Sequence, residues 1–188
     1  DVLTLGNFAN EVTASGVETI TGSSGNDTVT LTTTLSGGLI NLNGGSDTLN
    51  LASGVNTITL GGVETVNGGS GSDRITFTSA ITNAVIDLGG SNDSLTLSAS
   101  GPNSLTITNV ETLVAGAGND TVTLGAAAVG ATYNLAGGTD TLQLSSAGNN
   151  NVTVNAIETV LGGSSDDTIT MVLSTIGATL NGGGGDDT

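Results

Sequence analysis

Cysteine, histidine and tryptophan are missing from this 188-residue chain, and tyrosine (one), phenylalanine (two) and proline (one) are scarce. Without cysteine there is no disulfide framework, and without histidine or cysteine no zinc or copper site of the usual kind. So few rings leave little bulk for a broad core; the apolar residues are mostly Val, Ile and Leu, which suit narrow, stacked strands. Positive charge is equally rare, since Arg74 stands alone against 17 acidic residues. Nucleic acid is thereby excluded as a partner, because phosphate contacts need Lys and Arg, and an anionic membrane surface fails for the same reason. No apolar run is long enough to span a membrane. No stretch keeps a 3.6-residue apolar period, so helix is not expected. The sequence opens on Asp1 with neither an initiator Met nor a leader, and the expectation is a window onto something longer.

Glycine is abundant, at 31 residues, and it recurs with a single aspartate in front of a Thr-rich stretch. "TGSSGNDTVTL" (21–31) returns as "NGGSGSDRITF", "AGAGNDTVTL" and "LGGSSDDTITM". The motif aspartates are Asp1, Asp27, Asp47, Asp73, Asp93, Asp120, Asp140, Asp167 and Asp187, so a spacing of twenty alternates with one of twenty-six or twenty-seven. Two and four residues after each of the first eight the chain is always apolar, as in Val29 and Leu31 or Val122 and Leu124, while Thr fills most intervening positions. Apolar inward and hydroxyl outward at period two is a half-buried strand. The same columns recur in every unit, so the strands stack in register.

The expected fold is all-β, a right-handed parallel β-solenoid, with residues 1–188 forming one repetitive segment. It reads as about eight coils, short and long alternating in a super-repeat of about 46–47 residues, and at about 4.8 Å per coil the rod is roughly 38 Å long. "GVETI", "GVETV", "NVETL" and "AIETV" supply a second strand, with Glu18, Glu64, Glu111 and Glu158 alternating with Gly or Ala up the stack. The apolar pairs Val12/Ala14, Ile58/Leu60, Leu105/Ile107 and Val152/Val154 read as a third strand that widens each long coil.

Glycine explains a tight corner; the aspartate asks for more, because Asn or Ser would turn the chain without a charge. Carboxylates stacked about 4.8 Å apart repel by about 0.9 kcal/mol per neighbouring pair in water, and several-fold more near a protein surface. A cation between turns converts that repulsion into attraction. Carboxylate and backbone carbonyl oxygens are hard ligands, which points to Ca²⁺. On this reading all the motif carboxylates line one edge of the solenoid.

The segments at 22–30, 68–76, 115–123 and 162–170 resemble the RTX, or hemolysin-type, calcium-binding nonapeptide. The resemblance implies a calcium-filled parallel β-solenoid exported by a Gram-negative type I route. It implies carboxylate ligands at Asp27, Asp73, Asp120 and Asp167, extended by the repeat to Asp47, Asp93, Asp140 and Asp187. Carbonyls of Gly22, Ser24, Gly68, Ser70, Ala115, Ala117, Gly162 and Ser164 would complete the shells. The family places nonapeptides back to back in coils of about 18 residues with ions along two edges; the spacing here departs from that pattern.

No residue set stands outside the repeat to form an active site, so no enzyme activity is expected. The leading reading is a calcium-stabilised structural segment of a large secreted or surface protein (an adhesin, S-layer component or extracellular fibre), joined end to end or continued by further repeats. One alternative is an ice-binding face built from the outward Thr-x-Thr pairs; another is the calcium-dependent folding module of a secreted enzyme or toxin. Carbohydrate binding is disfavoured by the lack of aromatic platforms.

Overall fold

The computed structural model describes residues 1–173 and 177–188. Among these the chain forms twenty short strands and no helix. In chain order they are β1 (Val2–Thr4), β2 (Glu11–Ala14), β3 (Thr19–Thr21), β4 (Thr28–Leu31), β5 (Ser36–Asn41), β6 (Thr48–Asn50) and β7 (Thr57–Gly61). There follow β8 (Thr65–Asn67), β9 (Arg74–Phe77), β10 (Thr82–Asp87), β11 (Ser94–Thr96), β12 (Ser104–Thr108), β13 (Thr112–Val114) and β14 (Thr121–Leu124). The last six are β15 (Val129–Asn134), β16 (Thr141–Gln143), β17 (Asn151–Asn155), β18 (Thr159–Leu161), β19 (Thr168–Met171) and β20 (Thr179–Asn181). Odd-numbered strands form one ten-stranded parallel sheet (sheet I) and even-numbered strands the other (sheet II). Each coil therefore gives one strand to each sheet, with one corner leading into each. This is the expected all-β parallel solenoid.

Coil length departs from the sequence expectation. Val12 lies opposite Val29, Val29 opposite Leu49, Leu49 opposite Val66 and Val66 opposite Ile86. Corner contacts in the same coils show the alternation directly, stepping by 17 from Asn10 to Asp27, by 20 to Asp47 and by 17 again to Glu64. The widest spans between paired residues, Thr82 to Ser104 and Val129 to Asn151, include a bulge and still fall short of the long coil expected. The pairs Ile58/Leu60 and Leu105/Ile107 are not a third strand; they sit in β7 and β12, ordinary members of sheets I and II. The super-repeat spans five strands, or two and a half coils, so successive copies of the motif start in opposite sheets.

Alternation drives the packing. Val29, Leu49, Val66 and Ile86 from sheet II face Ile20, Ile40, Ile58 and Ile75 from sheet I, all at most 2% exposed, in one continuous core. Each such side chain contributes about 1.5–3 kcal/mol on burial. Leu3, Val12, Ile169 and Met171 in the outer coils are only partly covered. Tyr133 fills the repeat position held by Ile40 and Ile86, and its buried hydroxyl donates to the Val110 carbonyl at 3.1 Å. Once per repeat the strand carries an extra residue: β5, β10 and β15 each shift register against the next strand, around Gly37, Asn83 and Gly130 at positive φ. Such bulges let a longer segment return to the same register.

Candidate metal centre: carboxylate ladders in the corners

The residue just before each strand decides the corner. Ahead of sheet II stand, in order, Asn10, Asp27, Asp47 and Glu64, and later Asn103, Asp120, Asp140 and Glu158. Ahead of sheet I stand Asn56, Asp73, Asp93 and Glu111, then Asn150 and Asp167, with Asp187 stacked on the same edge by accepting from Asp167 N. The motif aspartates are thus divided between two edges, which corrects the expectation of one column. The glutamates do not alternate with small residues on a separate track either: Glu64, Glu111 and Glu158 each stack directly against an aspartate.

Backbone amides thread the side chains into a ladder. Asn56 donates to Asp73 Oδ1 from both its backbone N (2.8 Å) and Nδ2 (2.9 Å). Asp73 N donates to Asp93 Oδ1 at 2.6 Å, and Asp93 N to Glu111 Oε2 at 2.7 Å. The other edge repeats this. Asn103 N and Nδ2 bind Asp120 at 2.7 and 2.8 Å, Asp120 N binds Asp140 at 2.7 Å, and Asp140 N binds Glu158 at 2.8 Å. Asn10, Asp27, Asp47 and Glu64 give the same sequence of contacts. The first coil carries a fragment of it, with the Asp1 amine against Glu18.

The asparagine closes its own turn. Asn56 Nδ2 also donates to the carbonyls of Ala52 and Gly54, both at 2.9 Å, and Asn10, Asn103 and Asn150 make the matching pair of bonds. The aspartates have no such proton to give. Asp27, Asp47, Asp73, Asp93, Asp120 and Asp140 are at most 2% exposed, and the Oδ2 of each meets no hydrogen-bond donor. Burial, with Asp73 and Glu111 close by, pushes Asp93 up to about 6; burial, with Asp120 and Glu158, does the same to Asp140. Asp47 and Asp73 are also raised, chiefly by burial. Asp167 goes the other way: burial would raise it, but the amides of Asn150 and Gly163 outweigh that and hold it below its usual value. Gly163 N reaches its Oδ2 at 2.8 Å. Asp187 is exposed.

Glycine is demanded here by contact between coils. A Cβ on Gly25 would overlap the Phe8 carbonyl, and one on Gly118 the Gly101 carbonyl. Turn backbone is therefore stacked on turn backbone. The carbonyls of Gly22, Ser70 and Gly162 each take a protein donor, from Asn43 Nδ2, Gly54 N and Gln143 Nε2 respectively; each keeps a second lone pair. Ser24, Gly68, Ala115, Ala117 and Ser164 belong to the same turns.

The donor set fits a hard cation. A buried carboxylate oxygen without a proton donor is costly, and a divalent ion removes that cost. No three acidic side chains converge among the described residues, so an ion here would need turn carbonyls for the remainder of its shell. The class of protein is accordingly a parallel β-solenoid whose corners carry buried carboxylate oxygens suited to a hard cation. The family model of the RTX calcium-binding nonapeptide repeat (4 copies) matches residues 12–31, 58–76 and 108–128. In these segments the chain is similar to RTX calcium-binding nonapeptide repeats, and calcium is the ion such repeats bind. No curated protein and no solved structure matches the chain.

Each matched segment holds one corner glutamate (Glu18, Glu64 or Glu111) and one aspartate that follows an asparagine in the ladder: Asp27, Asp73 or Asp120. Asp47, Asp93 and Asp140 lie outside them, as do Asn10, Asn56 and Asn103. The asparagine heads escaped sequence reasoning, although a signal existed: 10, 56, 103 and 150 recur at the interval of the super-repeat. Short coils with carboxylates along two edges, which the aspartate spacing disguised, are what the strands adopt.

Proposed function

We propose that this chain is a stiff, calcium-stabilised segment of a large secreted or cell-surface protein, of the kind that builds adhesins, S-layers or extracellular fibres, and that it carries no catalytic activity. The observation that supports this reading most is the buried, donor-less Oδ2 repeated at six corners. Calcium, when bound, supplies positive charge where each ladder has only lone pairs. The chain's own residues do the rest: Asp and Glu tie every coil to the next through its backbone N–H, and the Val, Ile and Leu columns seal the interior. Stability then grows coil by coil, as in other repeat architectures, and both sheets can continue into further repeats or a second copy. RTX repeats accompany export from Gram-negative cells, and folding only at extracellular calcium levels suits that route. The described residues contain no helix that could cross a membrane.

The outward Thr columns do not favour an ice-binding reading. Leu39, Arg74, Val85 and Val114 interrupt them, and each bulge offsets the columns. The test of the main reading is circular dichroism with a calcium titration. The β-signal is expected to appear between micromolar and millimolar calcium and to vanish with EDTA; an identical spectrum in both overturns the proposal.

A further inference from the structure

Between Glu64 and Asn103 the sheet II edge carries Ile81, which is buried and donates its N–H to Asn103 Oδ1 at 3.2 Å. No acidic side chain therefore stacks on Glu64 from that side. A cleft of about 490 Å³ opens there instead, with Gly62 and Glu64 on one side and residues 79–82 on the other. Asn41 and Asn43 complete its wall. Gly62, at φ 54°, has no side chain to fill the space, and a Cβ there would strike the Asn43 backbone. One super-repeat on, Asn109 stands in place of Gly62 and Asp87 in place of Asn41, and Asn109 Nδ2 donates to Asp87 Oδ1 at 2.8 Å. The cavity left beside Glu111 is about 50 Å³. Two corners at the same place in the repeat thus differ, one open and one closed.

The open cleft is lined by polar atoms that the protein leaves unpaired. Glu64 accepts from Asp47 N through Oε2 at 2.8 Å, and its other oxygen has no partner among the described residues. Asn43 Nδ2 donates to the Gly22 carbonyl at 2.7 Å, while its Oδ1 accepts nothing among them. We propose that this cleft binds a primary ammonium group, the side chain of a lysine on a partner protein. The three N–H bonds of an ammonium match acceptors on three separate residues: Glu64, Asn43 and a hydroxyl of Ser79 or Thr82. The alkyl stem packs on Ile81 and Ala80. A planar guanidinium would want both oxygens of one carboxylate, and Glu64 Oε2 is already taken. Charge favours a cation over a neutral polyol, since Glu64 is half-buried and Asp47 lies buried beside it. The chain has no lysine, and Arg74 sits in β9 of sheet I, so the cation comes from another molecule.

The full chain, with calcium saturating, is titrated with Nα-acetyl-lysine methylamide and with the norleucine analogue, which keeps the stem and lacks the charge. Amide NMR shifts report the contact. Shifts confined to Gly62, Glu64 and residues 79–82 are expected, for the lysine probe alone. Glu64→Gln keeps an acceptor for Asp47 N and should weaken binding by about tenfold or more. Glu11→Gln removes an equal charge from an exposed position on β2 and should leave binding unchanged. No response, shifts spread over every acidic corner, an equal response to both probes, or undiminished binding by E64Q overturns the proposal. Should E64Q fail to fold, Ala80→Lys, at an exposed loop position, is expected to fill the cleft from within the chain and abolish probe binding. Full binding by that variant overturns the proposal equally. The site does not depend on the calcium reading, because a chain that folds without calcium is titrated in the same way.

Discussion

Asn56 and Asp93 occupy the same edge, two coils apart, and put nearly identical side chains into nearly identical corners. Asn56 turns an N–H toward the carbonyls of Ala52 and Gly54 and toward Asp73 Oδ1. Asp93 has an oxygen in place of that group, and the oxygen finds no donor. The first corner is complete as the chain folds; the second is short of one positive charge. One atom, N or O, therefore separates a corner closed by its own protons from one left with an unanswered carboxylate oxygen.

Asn56→Asp is the sharpest way to break the contrast. It deletes three hydrogen bonds and adds a buried charge beside Asp73, so it should cost about 3–5 kcal/mol in chelator by denaturant titration. Calcium should recover part of that loss, and a cost near zero would show that the asparagine amide is not what closes the turn. The reverse exchange, Asp93→Asn, should stabilise the chelator-treated protein by about 1–3 kcal/mol while lowering its response to calcium. A destabilised variant would mean that Oδ2 already has a partner in solution.

Acid sharpens the same comparison. Asp93 and Asp140 have folded pKa values of about 6, above the ordinary 3.8, so the folded state binds their protons more tightly than the unfolded chain does. Their favourable contribution is complete below pH 4 and is lost as pH rises through 6. Without calcium the melting temperature should therefore rise on acidification from pH 7 toward 5. Asp167, held low, opposes this only at the acid end, where its own contribution fades. A melting temperature that falls over that interval would count against buried, unpaired carboxylates. The smallest effect concerns backbone. Ser91 sits at φ 106°, where Gly45, Gly138 and Gly185 hold the equivalent place. Ser91→Gly should stabilise by about 1 kcal/mol, read as a shift in denaturation midpoint.

The strands were legible because their signal is local. Val29 and Leu31, or Val122 and Leu124, announce burial by alternating with Thr, and the structure buries all four. The corner that follows glycine was legible for the same reason. What the linear spacing hid was which edge a residue reaches, since that depends on the length of every intervening coil. No motif aspartate falls between Asp47 and Asp73, and the natural inference is one long coil. In fact 17 residues bring Asp47 to Glu64, and another 17 bring Asn56 to Asp73. Asparagine and glutamate stand in for aspartate at the two ends of each ladder, so the search for one residue type missed half of it.

The half-integral period has a consequence for variation in repeat number. Removing one super-repeat would turn everything downstream through half a revolution about the long axis, carrying whatever it bears to the opposite flank. Removing two would shorten the stalk yet restore the original facing. Parity of the copy number, rather than the copy number alone, fixes the direction in which a distal domain looks.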